Sequence, residues 1–176
     1  MIAYDFISAA PESLDELQTE VIVLPFFSDE RPLRGAAGLI DWRLCGALSR
    51  KLMAGYLQGT LGEKAMLANP GTLKSERVLL IGLGDSASFD QGVAQKACQL
   101  IAEALREAKV STAALALPGR SVGLVTALEA MQVWLAASPV DSALEELSII
   151  ELAQEHRALD TLFDGLRRQA ESPLDS

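Results

Sequence analysis

Apolar and polar positions along this chain switch repeatedly between a strand rhythm and a helix rhythm. Residues 2–8 (IAYDFIS) alternate weakly and predict a first strand, followed by a short turn of helix over 11–17. Residues 20–27 (EVIVLPFF) form a β-branched apolar run, the pattern of a strand buried on both faces. From Gly35 to Met53, Ala37, Ile40, Leu44, Leu48 and Leu52 recur at helical spacing, with Arg43, Arg50 and Lys51 on the outside, so one helix is predicted. Strands over 63–70 and 77–84 are joined by the turn PGTLKSE. Asp90 is the expected N-cap of a helix to Ala108, with Val93, Ala97, Ile101, Leu105 and Ala108 along one face. A strand over 111–119 ends at Pro-Gly. A helix over 122–137 follows, with Leu124, Leu128, Met131 and Leu135 in register, then a strand over 146–152 and a helix over 154–169. Residues 1–170 read as a single domain and 171–176 as a frayed tail.

Strands alternating with helices predict a three-layer α/β fold: a mixed, mostly parallel central sheet flanked by helices. With 49% hydrophobic and 22% charged residues, the composition is that of an ordinary globular protein. The net charge of −9 repels a phosphate backbone, so no nucleic-acid partner is expected. The densest basic group, Arg31, Arg34, Arg43, Arg50 and Lys51, is interrupted by acids. No apolar run approaches the ~20 residues that span a bilayer, and the first residues carry acids rather than a basic leader. No membrane association and a cytoplasmic location are therefore expected. Cys45 and Cys98 both fall in helix-like segments, without CxxC spacing, and read as buried, reduced thiols.

Four stretches invite a chemical reading. Gly82, Gly84 and Ala87 form a loose G-x-G-x-x-A. The next strand ends without the acid that holds a ribose, and the helix begins only near Asp90, so a glycine turn is the expected meaning. Residues 119–123 (GRSVG) match G-x-S-x-G between a strand and a helix, with Asp141 and His156 following in hydrolase order. His156 is the lone histidine and sits in a helical pattern spaced with Leu152, Leu159 and Phe163, which favours a structural role over a catalytic base. Asp15, Glu16, Glu103, Glu107, Glu145 and Glu146 lie on helix exteriors or turn tips, and no metal site is expected from them. The fourth stretch is DERPLRGAAG, residues 29–38. Gly35 and Gly38 permit close backbone approach, and the amides opening the next helix can hold an anion. The alternative is a compact strand-to-helix corner with Ala36 and Ala37 packed on the sheet.

The segments FSDERPLRGAAGLIDWRLCGALSRKL, GEKAMLANPGTLKSERVLLIGLGDSASFD and ALALPG, in this order, resemble the N-terminal domain of the leucyl aminopeptidase family of metallopeptidases over about residues 18–150. The resemblance implies a macro-domain-like α/β fold related to ADP-ribose-binding domains. The family's two-metal site belongs to a separate C-terminal domain, whose Asn-Thr-Asp-Ala-Glu-Gly-Arg-Leu motif matches no stretch here. The resemblance therefore transfers no catalytic residue, metal ligand or cofactor, and a non-catalytic assembly, regulatory or binding module is the expected role. The family's hexamers make self-association, or association with a full-length aminopeptidase, the expected partnership. By the macro-domain parallel, a cleft for a small anionic ligand would be lined by Asp29, Arg31, Arg34, Gly35, Ala36, Ala37 and Gly38 on one loop and Gly119, Ser121 and Gly123 on another. Acids stand where those binding domains carry asparagine, and alanines separate the glycines. Binding of ADP-ribose and hydrolysis by Ser121 are the alternative functions. Trp42, near the polar side of its helix, suits either a partner contact or a boundary core position.

Overall fold

In the computed structural model, which describes residues 2–137 and 143–171, the chain runs β1 (Ala3–Ser8), α1 (Pro11–Glu16), β2 (Val21–Phe26), α2 (Gly35–Arg43), α3 (Ala47–Met53), β3 (Lys64–Ala68) and β4 (Arg77–Gly82). It continues through a 3-10 turn (Ser86–Ser88), α4 (Gln91–Ala108), β5 (Thr112–Ala116), α5 (Ala127–Ala137), β6 (Glu146–Glu151) and α6 (Ala153–Glu171). The strands form one six-stranded sheet in the order β1-β6-β5-β2-β4-β3. Every neighbouring pair is parallel except β3–β4.

Alternation along the central strands divides the apolar residues between two layers. Val21, Val23, Leu79 and Ile81 face a cluster with Ile101, Leu105, Met131, Trp134 and Leu159 from α4, α5 and α6. Ile22, Leu24, Phe26, Val78 and Leu80 face the other way, onto Leu14, Ala37, Ile40, Leu48 and Leu52 from α1, α2 and α3. Both faces of β2 are buried along its whole length, as its unbroken apolar run predicts. The fold class is the expected one: α/β, three layers, mostly parallel.

Two helices depart from expectation. The helix expected over 35–53 is broken between Arg43 and Ala47, where Cys45 (φ 54°) and Gly46 (φ 77°) take left-handed backbone conformations. The Asp41 carboxylate accepts the Leu48 amide at 2.8 Å and the Ser49 amide at 3.1 Å, capping α3 after the break. Cys45 is consequently exposed rather than buried, whereas Cys98 is buried as expected. The helix expected from 122 begins at Ala127. A capping box starts it: Glu129 accepts the Thr126 amide at 2.8 Å, and Thr126 Oγ1 accepts the Glu129 amide at 3.2 Å. Its buried face is Ala127, Ala130, Met131 and Trp134, which leaves Leu124 and Leu128 exposed.

Along β2 the ladder to β4 continues to Phe26, whereas the ladder to β5 stops at Val23, two residues before Pro25, which has no N–H to donate. Beyond that point the chain leaves β2 for the α2 layer and leaves β5 for the α5 layer. A parallel sheet forms its ligand crevice at such a reversal, at the carboxyl ends of the strands.

Candidate functional site

The β2–α2 connection is folded around an acid. Glu30 is only 4% exposed, and its carboxylate accepts the Phe27 amide at 3.0 Å and the Arg34 amide at 2.9 Å. The loop thus carries its own anion, bonded to amides at both ends of its turn. Asp29 points outward and accepts the amide and hydroxyl of Ser86, at 2.9 and 2.5 Å, which joins this loop to the one following β4. The Ser86 hydroxyl and amide, with Arg31 adding a smaller effect, hold the Asp29 carboxyl below its ordinary range. Arg31 donates to the Glu30 carbonyl at 2.9 Å. The Arg34 side chain has no hydrogen-bond or ion-pair partner among the described residues.

Gly35 opens α2 with φ 57°, and a Cβ there would stand 3.3 Å from the Ser121 Cα. The β2 and β5 loops therefore touch at this point. The amides of Gly35, Ala36 and Ala37 have no partner among the described residues; the first paired amide is that of Gly38, bonded to the Arg34 carbonyl at 3.2 Å. A Cβ on Gly38 would meet the Leu33 carbonyl oxygen at 2.5 Å, so close packing explains that glycine.

Of the residues expected to form a cleft, the structure gathers Asp29, Arg31 and Arg34 around a cavity of about 240 Å3, together with Phe27, Glu30, Ser86 and Val122. Gly35, Ala36, Ala37 and Gly38 form the adjoining helix start. Gly119 and Ser121 belong to the neighbouring turn, and Gly123 is exposed. Two carboxylates and two guanidinium groups line the cavity. Its volume falls below the roughly 300–1,000 Å3 of sites that enclose a drug-sized ligand. A phosphate-sized group matches its dimensions better than a dinucleotide.

Among the described residues, Ser121 and His156 share no hydrogen bond. Ser121 Oγ is buried without a hydrogen-bond partner among the described residues. His156 Nε2 lies 3.0 Å from the Glu151 carbonyl oxygen, and its ring packs beside Phe6 and lines a separate cavity between β1 and α6. Asp141 lies outside the described residues. What fixes the GRSVG turn is Arg120, which clasps the buried Glu151 carboxylate with bonds of 2.7 and 3.0 Å and donates to the Val125 carbonyl at 2.7 Å. Gly82 is likewise a packing residue: a Cβ would meet the Thr60 carbonyl oxygen at 2.0 Å. No group of three or more His, Cys, Asp or Glu side chains is placed to hold a metal among the described residues, and no helix among them is long and apolar enough to cross a membrane.

Two further surface features stand out. The α2–α3 segment exposes Trp42 (66%), Met53 (78%) and Tyr56 (79%), with the Arg43 guanidinium 5.6 Å from the centre of the Trp42 ring. A cavity of about 510 Å3 lies between α4 and α5. Its lining comes from two helices and two loops, a combination that no single sequence window displays.

The sequence model of the cytosol aminopeptidase family, N-terminal domain, matches residues 23–137. The chain belongs to the cytosol aminopeptidase family. Among its relatives, a probable cytosol aminopeptidase of Pseudomonas syringae pv. tomato is 34% identical over 115 residues, covering 65% of this chain and 22% of the relative. The chain thus spans about a fifth of the length of the curated relatives it matches. Among solved structures, a mutant tomato leucine aminopeptidase superimposes with a TM-score of 0.61 at 20% identity, over 87% of this chain and 33% of that one. The macrodomain of Mycobacterium tuberculosis DarG superimposes with a TM-score of 0.65 at 13% identity, over 86% of this chain and 98% of that one. The aminopeptidase N-terminal domain and the macrodomain thus share this chain's architecture.

Proposed function

We propose that this domain is a non-catalytic assembly module that associates through its α2–α3 face, with further copies of itself or with a full-length aminopeptidase. The observation that carries this reading is the exposure of Trp42, Met53 and Tyr56 on one short segment, with the Arg43 guanidinium over the Trp42 ring. Large apolar side chains left in water mark interaction surfaces, and Trp, Tyr and Arg are the residues that most often dominate binding energy there. Relatives named cytosol aminopeptidases support a cytoplasmic setting. Sedimentation velocity over a range of concentrations tests the reading. The wild-type chain should self-associate or co-sediment with a full-length family member. Trp42→Asp should weaken that association at least tenfold while leaving the melting temperature within about 2 °C, a shift below 1 kcal/mol for a chain this size. A chain that stays monomeric and ignores the full-length enzyme contradicts it.

A second reading, a cleft for a small anion, is favoured by the unpaired amides of Gly35, Ala36 and Ala37 beside the partnerless Arg34 side chain. The small volume favours a lone phosphate group over ADP-ribose. A thermal shift with each at millimolar concentration separates the two. If neither raises the melting temperature, this reading fails.

A further inference from the structure

The 510 Å3 cavity between the first half of α4 and the body of α5 lies within the size range of small-molecule sites. Ala94 and Ala130, both buried, line it from the two helices with methyl groups alone, and Phe89 and Val125 line it from the preceding loops. Its floor includes Cys98, whose thiol burial pushes up to about 12, so the floor carries no charge at neutral pH. No lysine, arginine or histidine among the described residues lines the cavity.

Its rim holds two carboxylates already fixed in direction. Asp90 Oδ1 caps α4 through the Val93 amide at 2.8 Å, and Oδ2 has no partner among the described residues. Glu129 Oε2 is held by the Thr126 amide and hydroxyl at 2.8 and 2.9 Å, leaving Oε1 free. These Thr126 bonds keep the Glu129 carboxyl below its ordinary range, hence ionised. An acceptor held in place before binding loses less freedom when a donor arrives.

We propose that this cavity binds a small amphipathic amine, its aromatic or branched aliphatic body on the Ala94–Ala130 floor and its ammonium group between the Asp90 and Glu129 carboxylates. An anionic ligand would face two carboxylates with no cation to offset them. This site lies on the opposite face of the sheet from α2–α3 and is independent of the assembly reading.

Titration of the full chain with phenethylamine, followed by amide 1H–15N spectra, tests the proposal. Saturable shifts are expected at Ala94, Gln95, Cys98, Ala130 and Val133, with phenylacetate, of the same size and opposite charge, binding at least tenfold more weakly. Glu129→Gln keeps an acceptor oxygen for Thr126 and should shrink that discrimination several-fold. Gln95→Trp, at an exposed lining position, should block binding while the chain stays folded. Equal binding of phenylacetate, scattered shifts, or unchanged binding to Gln95→Trp would overturn the proposal. So would movement of the same amides on dilution of the protein alone, since a second copy would then be the occupant.

Discussion

Replacing Glu30 by alanine removes the acceptor around which the β2–α2 loop is folded. The two amides it leaves are unequal: Phe27 is fully buried, whereas Arg34 is exposed and water can replace the lost bond. A hydrogen bond to a charged group contributes roughly 1.5–3 kcal/mol, and a stranded buried donor loses about 1–3 kcal/mol. Allowing for re-solvation at Arg34, Glu30→Ala should destabilise by about 2–4 kcal/mol. With a urea slope near 2 kcal/mol per M, the unfolding midpoint should drop by about 1–2 M. Glu30→Gln keeps one acceptor oxygen but turns an NH2 group toward one of the amides, so its midpoint should fall between the two. Amide hydrogen exchange should accelerate at Phe27 more than at Arg34. An alanine variant within about 0.3 M of wild type in midpoint, a difference of roughly 0.6 kcal/mol at that slope, would refute the idea that this carboxylate organises the loop.

Gly82→Ala would drive a methyl group into the backbone of Gly59 and Thr60, which neither a rotamer change nor a small shift relieves. The loss should reach the top of the roughly 1–3 kcal/mol seen for overpacking, or about 6–12 °C in melting temperature. Gly165→Ala, on an exposed helical position with open space around it, should instead stabilise by about 1 kcal/mol. Glu20 ties the starts of β2 and β5 by accepting the Ser111 hydroxyl and amide, both at 2.7 Å, and the Thr112 amide at 3.2 Å. Those bonds, the Ser111 hydroxyl foremost, hold its carboxyl below the ordinary glutamate value of 4.5. Its contribution is therefore complete above 4.5 and lost as pH falls through the lower folded value. Glu20→Gln should be less stable than wild type at pH 7, and urea midpoints of the two should converge as the solution is acidified; a constant gap would contradict the assignment.

The central strands were legible because β2, β4 and β5 are buried on both faces and carry near-continuous apolar runs. The α2–α3 break was hidden because Ile40, Leu44, Leu48 and Leu52 keep helical spacing across it. The interruption is local, a left-handed pair at Cys45–Gly46 capped from Asp41. The true start of α5 was written in the T-x-x-E of Thr126–Glu129, but Leu124 and Leu128 mimicked a longer amphipathic face. At the cleft, the sequence predicted which residues share a loop and not what their charges do there. Glu30 reads only as one of the acids standing where the binding domains carry asparagine, until the fold shows its carboxylate accepting two amides of the loop. The α4–α5 cavity had no local signature, because its lining joins residues of two helices and two loops, such as Ala94 and Ala130, that lie 36 positions apart in the chain.

In the proposed role as an assembly module, this domain should associate without itself cleaving peptides. The most direct test is hydrolysis of a leucine anilide by the purified chain, with and without added manganese. No release above the uncatalysed background is expected in either condition. Turnover that requires the divalent ion and stops on chelation would contradict it.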